Sequence, residues 1–277
     1  MSRLLAVVEG TLRESMAKFT FLAFLAMSTL TLLIIAFAVN LDVVDGALAA
    51  ARLFGRDIEL GGARIAVDTL VTGVQAGMAG FLFGVGLFLS IFATANLVPV
   101  MLEKGYVDLL LSKPLSRPAL FLGRYLGALA VVLINLVYLV GGVWVLLGWK
   151  TGVWKAGLPA AGLIIVLTYA IILGFMMLVG VVTRSSSITI MLSYFLFPLA
   201  GLLAARDNVT VMLTSKAAIA FIDGLYHVLP KIAGLGRILG ELAMEKPVSS
   251  YAPIGSSVLF GAACLALGVV VFSRRDY

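Results

Sequence analysis

A single cysteine, Cys264, stands in the whole chain, so no intrachain disulfide and no multi-cysteine metal site can form. It lies in an apolar run and reads as core packing. Histidine is equally scarce. His227 is the one copy, with Asp223 one helical turn earlier, and no serine or cysteine nucleophile is tied to that pair in sequence. No HExxH pattern occurs, and no carboxylates are paired inside an apolar run, so the chain is expected not to be an enzyme. A GxxxxGK[ST] loop is missing, as is any Gly-Lys dipeptide, which excludes ATP hydrolysis by this chain on motif grounds. Charge is sparse as well, at 12% of residues where soluble domains average about a quarter.

Hydrocarbon fills the space. Hydrophobic residues make up 62% of the chain, and six runs approach or exceed the roughly 20 residues that cross a bilayer. They lie at about 19–39, 69–98, 120–148, 158–182, 188–204 and 253–272. The expected fold is an all-α integral membrane protein, one permease-like domain over 1–277. The second run exceeds bilayer thickness and should tilt or project. The fifth is short and contains Pro198, which predicts a kink or a half-span. The N-terminus reads as uncleaved, because its apolar run is too long for a signal peptide.

Six spans place both termini on one side. Lys and Arg divide ten and ten between the two sides, but more densely on the side of the termini, which is therefore expected to be cytosolic. The same rule accounts for the net charge of +6. No basic stripe is interleaved with exposed aromatics, so no nucleic-acid partner is expected.

Residues 2–18 read as an amphipathic helix in the headgroup plane, with Leu4, Leu5, Val8, Leu12 and Met16 opposite Arg3, Glu9, Arg13 and Glu14. Residues 41–68 carry mixed charge and Gly61-Gly62, and read as a loop with little structure. The segment 205–252 holds two short amphipathic patterns separated by Pro230, one through Phe221 and Leu225, the other through Leu235 and Leu239. They predict a helix pair capping the outer mouth.

Inside the six runs the one ionisable residue is Arg124, placed to snorkel near the cytosolic end of the third. Ion-driven transporters carry charged groups at such depths, so nothing here couples to ions. Gln75, Asn96, Asn135, Tyr138, Thr168, Tyr169, Ser193 and Tyr194 are the buried polar residues, most of them read as interhelical glue. Gly73, Gly77, Gly80 and Gly84 fall on one face of the second run. That spacing admits close helix packing, either within the chain or against a sliding or dimeric partner.

Between the second and third runs lies a polar stretch, 99–118. Pro99 ends the span before it, Glu103-Lys104-Gly105 marks a turn, and Val107 to Leu111 suits a short helix with Tyr106 and Asp108 exposed. Ser112-Lys113-Pro114 stops that helix, and Pro118 opens the next. The run Glu103-Lys-Gly-Tyr-Val-Asp-Leu-Leu-Leu-Ser-Lys-Pro-Leu-Ser-Arg117, followed by Leu122-Gly-Arg-Tyr-Leu-Gly127, resembles the cytosolic loop of ABC transporter permeases of the type-2 exporter superfamily. The N-terminal amphipathic helix, Gly224-Leu-Tyr-His-Val-Leu-Pro230 and the basic C-terminus Ser273-Arg-Arg-Asp-Tyr277 extend the likeness. The layout is similar to that of permeases for nitrous-oxide-reductase maturation. Lys104, inserted before Gly105, departs from the family's short acidic–glycine turn.

The resemblance implies a six-span half-transporter in the cytoplasmic membrane. It pairs with a second permease copy, identical or not, and two ABC ATPase subunits that hold the ATP and magnesium, so this chain has no cofactor of its own. The loop would be the coupling helix, with ATPase docking falling on Glu103, Lys104, Tyr106, Asp108, Lys113 and Arg117. A substrate path between the permeases, walled by the second and fifth spans, would suit lipid-like cargo moved outward. The rival expectation is a non-transporting membrane scaffold or channel.

Overall fold

The computed structural model describes residues 3–16, 19–44, 47–53, 56–57, 67–95, 97, 99, 116–211 and 215–274. The amphipathic N-terminus forms α1 (Arg3–Met16), and α2 (Phe19–Leu33) follows, loosening into a π-helical turn over Ile34–Ala38. The second apolar run is α3 (Val67–Phe81), a π turn at Leu82–Gly86, and α4 (Leu87–Thr94). The remaining long helices are α5 (Arg117–Thr151), α6 (Gly157–Thr183) and α7 (Ser186–Ala204). After them come α8 (Arg206–Val211), α9 (Lys216–Val228), α10 (Ile232–Ala243) and α11 (Ala252–Arg274).

Five of these helical stretches are long and apolar enough to cross a membrane: α3–α4, α5, α6, α7 and α11. The bent pair α9–α10 passes the same test only when taken together. The apolar length of α2, Phe21–Phe37, sits at the short end of the range for a span. This is the helix content of a multi-pass membrane protein. Helix ends follow local chemistry. Ser116 and Ser185 cap α5 and α7 by accepting from the N–H groups of Ala119 and Ile188, and Pro118 occupies the first turn of α5. Gly152 closes α5 in the left-handed region, at φ 72°, where a side chain would be strained.

The core is organised around α6. Its apolar window is 72% buried, against 22–28% for the other spans, and it packs on α11, α10, α5 and α7. A helix apolar on every side can be enclosed on every side. Where α6 crosses α11 glycine meets glycine, since a Cβ added to Gly174 would lie 2.8 Å from the carbonyl oxygen of Gly261. Tyr169 is fully buried and donates its hydroxyl to Thr94 Oγ1 at 3.0 Å, tying α6 to α4.

Two sequence expectations change. Part of 41–68 is not loop: β1 (Val39–Val44), β2 (Ala47–Leu53) and β3 (Arg56–Asp57) form a three-stranded antiparallel sheet in that order. Val39 pairs with Leu53 and Val44 with Ala47, with an irregularity between Asp42 and Val43. The overlooked signal is the alternation Val39-Asn-Leu-Asp-Val43 followed by Asp45-Gly46, a dipeptide favoured in two-residue hairpins. The fold is thus helical, as the apolar runs imply, with one small sheet between α2 and α3.

The second change concerns 205–252. The helix pair exists and breaks at Pro230 with a bend of 54°, but α10 packs closely on the bundle while α9 touches mainly α7 and α8. Ile232, Leu235, Ile238, Leu239 and Ala243 of α10 are buried, whereas α9 buries nothing and leaves Phe221 and Val228 each 66% exposed. A Cβ on Gly157, at the start of α6, would meet the carbonyl oxygen of Ala243 at 2.6 Å. From there α10 runs back along the bundle to Lys231, whose N–H donates to Ser257 Oγ at 2.9 Å, inside α11. The bend is therefore set into the bundle instead of lying over its mouth.

Candidate functional site

Most of the polar segment between α4 and α5 falls outside the described residues. That covers Glu103, Lys104, Tyr106, Asp108 and Lys113, together with the expected short helix at 107–111. The structure does describe its exit, where three elements converge on Arg117 and the first turns of α5. Arg117 Nη1 donates to the carbonyl oxygen of Ser273 at 3.1 Å, joining the start of α5 to the end of α11. Behind that contact, Phe121 and Phe272 pack with ring centroids 5.6 Å apart, both buried.

The third element is α1. It lies across α5 in a seat made by two glycines four residues apart. A Cβ on Gly123 would come within 2.5 Å of Val7 Cγ1, and one on Gly127 within 2.5 Å of Thr11 Cβ. Only hydrogen at both positions allows this approach. Thr11 is 2% exposed, and its hydroxyl is satisfied by the carbonyl of Val7 at 2.9 Å. Between the glycines, Arg124 Nη1 meets Glu14 Oε2 at 2.5 Å. The Arg124 side chain is 6% exposed and that of Glu14 31%.

Arg124 therefore does not snorkel to the surface. It stays buried because Glu14 comes to it, and a buried guanidinium needs such a partner. Glu14, expected on the polar face of α1 with Arg13, is turned to α5 instead. The docking face runs through Val7, Thr11 and Glu14, offset around the helix from the Val8 and Leu12 stripe, which remains half-buried. The Gly123–Gly127 spacing was a readable signal for this seat and was passed over in favour of the longer glycine series in α3.

That series has a different fate. Around Gly73, Gly77, Gly80 and Gly84 no atom of the described residues lies within 4 Å of a would-be Cβ, so none of the four packs against another described element. Val74, Phe81, Val85 and Phe88 extend the same exposed face. Among the described residues, contacts other than this stripe hold α3.

The opposite side of α3 carries the glue. Gln75 donates to the Lys155 carbonyl and accepts from Leu158 N–H, each at 3.2 Å, pinning α3 to the turn between α5 and α6. Trp144 Nε1 donates to that same carbonyl at 2.7 Å. The Lys155 ammonium reaches Asp68 at 2.7 Å and Glu245 at 3.6 Å. The hydrogen bond to Asp68 is the main reason Lys155 titrates above the usual lysine range, against a desolvation cost from burial. Tyr138 and Tyr194 also bridge helices, through Thr29 and the Phe88 carbonyl. Asn135, Thr168 and Ser193 bond back to carbonyls of their own helices, and Asn96 lies outside the described residues.

His227 is exposed on α9, and its Nδ1 pairs with the backbone oxygen of Asp223 at 2.7 Å. The Asp223 carboxylate turns to Arg206 instead, at 3.4 Å, so the two side chains form no acid–base pair. Cys264 is buried in α11, as its apolar surroundings predict.

Among known proteins, no family model matches the chain and no curated protein is significantly similar to it.

Proposed function

We propose that this chain is the membrane subunit of an ATP-driven exporter, worked by a separate ATPase that docks on the 99–118 segment. The observation that carries the reading is the clamp at the exit of that segment. Arg117 is tied to α11, and the next two turns of α5 are locked to α1 by the glycine seat and the Arg124–Glu14 pair. A push on the segment reaches three elements as one body. A loop with no mechanical role needs no such coupling to both chain ends.

The likeness of 103–127 to the coupling loop of type-2 ABC permeases points the same way. On this reading both termini are cytosolic, the ATPase pair carries the ATP and magnesium, and the bare glycine face of α3 is available to a second permease copy. The apolar walls suit a lipid-like cargo moved outward. A partner with different affinity for two states of the bundle is what would make it switch.

The test is purification of the chain from membranes together with its partners. A stoichiometric ATPase should accompany the wild type and be lost when Glu103→Arg and Asp108→Arg reverse the loop's charge. If no ATPase copurifies, or reversal leaves its association unchanged, the coupling reading fails and a scaffold or channel replaces it.

A further inference from the structure

The bend of the α9–α10 pair opens onto a recess of about 240 Å³ between the end of α7, the bend and the start of α11. Its walls are mostly apolar, from Leu203, Leu229, Pro230 and Pro253. Two cations, Lys231 and Arg237, and the ring of Tyr226 also line it.

The cations there are unequally answered. Arg206 stacks on Tyr226 at 3.9 Å but is answered by Asp223 and Asp207. Lys231 Nζ lies over the other polar group available, the same tyrosine ring, at 4.4 Å, and makes no ion pair among the described residues. Glu241, one turn beyond Arg237, accepts from Ser249 N–H at 2.9 Å and also faces Arg237 as an opposite charge, which leaves Lys231 as the less answered of the two cations. Ala233 and Gly234, in the first turn of α10, also line it, and that turn has no side-chain cap and contains no acidic residue. Uncapped first-turn amides add partial positive charge to that of the two side chains. Lys231 is half-buried and Arg237 exposed, so the two cations stand at the rim of the apolar recess, open to a ligand.

We infer that this recess binds a phosphate-type oxyanion, carried on a lipid head group or free in solution, between Lys231, Arg237 and the Tyr226 ring. The oxygens lie toward the two cations, and the apolar walls receive whatever chain the phosphate carries. Arg supplies a planar fork for two oxygens and Lys a point charge for a third. The site is independent of any ATPase partner and stands or falls without it.

The experiment uses the full-length chain in neutral detergent, titrated separately with phosphatidylglycerol and with inorganic phosphate. Bound lipid is read by native mass spectrometry and stabilisation by the unfolding temperature. Wild type should bind at least one of the two probes about tenfold more tightly than K231Q/R237Q, the scale expected for losing charged hydrogen bonds. K231R/R237K should retain binding, which separates lost charge from lost fold. Binding of phosphatidylglycerol but not phosphate assigns the site to a head group; binding of phosphate alone assigns it to a soluble anion. If neither probe distinguishes wild type from K231Q/R237Q, or if exposed Lys246→Gln weakens binding equally, the inference is wrong.

Discussion

Glycines four apart recur both on α5 and along α3 with its following π turn, and the two sets meet opposite fates. On α5, Gly123, Gly127, Gly142 and Gly148 receive Val7, Thr11, Leu32 and the Trp154 ring, all closer than a Cβ would permit. Along α3 and its π turn, Gly73, Gly77, Gly80 and Gly84 receive nothing from the described residues. Both helices show glycines four apart, so spacing marks where a partner could approach and not whether the chain supplies one. A helix in lipid gains little from apolar burial, and close van der Waals contact at small residues decides where helices meet. The bare face of α3 therefore stays apolar and open at little cost within one protomer.

That contrast can be broken in several ways. The largest effect is expected from Glu14→Met, which leaves Arg124 buried without the carboxylate that faces it. A loss of about 3 kcal/mol is expected, at the low end for orphaning a buried charge because water reaches part of Glu14. Adding Arg124→Met should restore most of that loss in denaturant unfolding. If Glu14→Met alone costs nothing, the ion pair does not hold α1 and the glycine seat does so alone.

Gly127→Leu should follow, at about 1–3 kcal/mol, because its side chain must displace Thr11. The matching change on α3, Gly77→Leu, should shift the unfolding of the single protomer by less than about 0.5 kcal/mol. Its effect should fall instead on protomer association, read as the mass of the detergent-solubilised particle. Equal destabilisation by the two leucines would erase the distinction between the filled and bare faces.

The smallest effect concerns the glue on the other side of α3. Lys155 titrates above its ordinary value in the folded chain, so its contribution is fully present below about pH 10.4, the unfolded lysine value. That contribution disappears as pH rises through the higher folded value. The unfolding temperatures of wild type and Lys155→Gln should therefore differ at neutral pH and converge only in strong alkali. A gap that closes near neutral pH would mean that Asp68 and Glu245 do not hold the ammonium.

Much of the architecture is legible before any coordinates. Runs at 120–148, 158–182 and 253–272 become α5, α6 and α11 within a few residues, because an uninterrupted apolar run in a bilayer has few options besides helix. Pro118 and Pro230 mark a helix start and a break in the same way. The sheet at 39–57 was missed because its alternation is brief and sits among charges. The clamp was missed for a different reason. Arg124 read as a snorkelling residue since its partner, Glu14, is 110 positions away in the chain.

Local composition thus determined the membrane setting, most helix bounds and the lack of any hydrolytic or P-loop motif. It could not determine which helix is central, since α6 and α3–α4 are both apolar enough to span yet 72% and 22% buried. Nor could it show that Gly127 is filled and Gly77 bare, or that Lys231 and Arg237 share a recess. Lipid tails and a protein core are equally apolar solvents, so a sequence written for one reads like a sequence written for the other. Only the packing of distant segments distinguishes them.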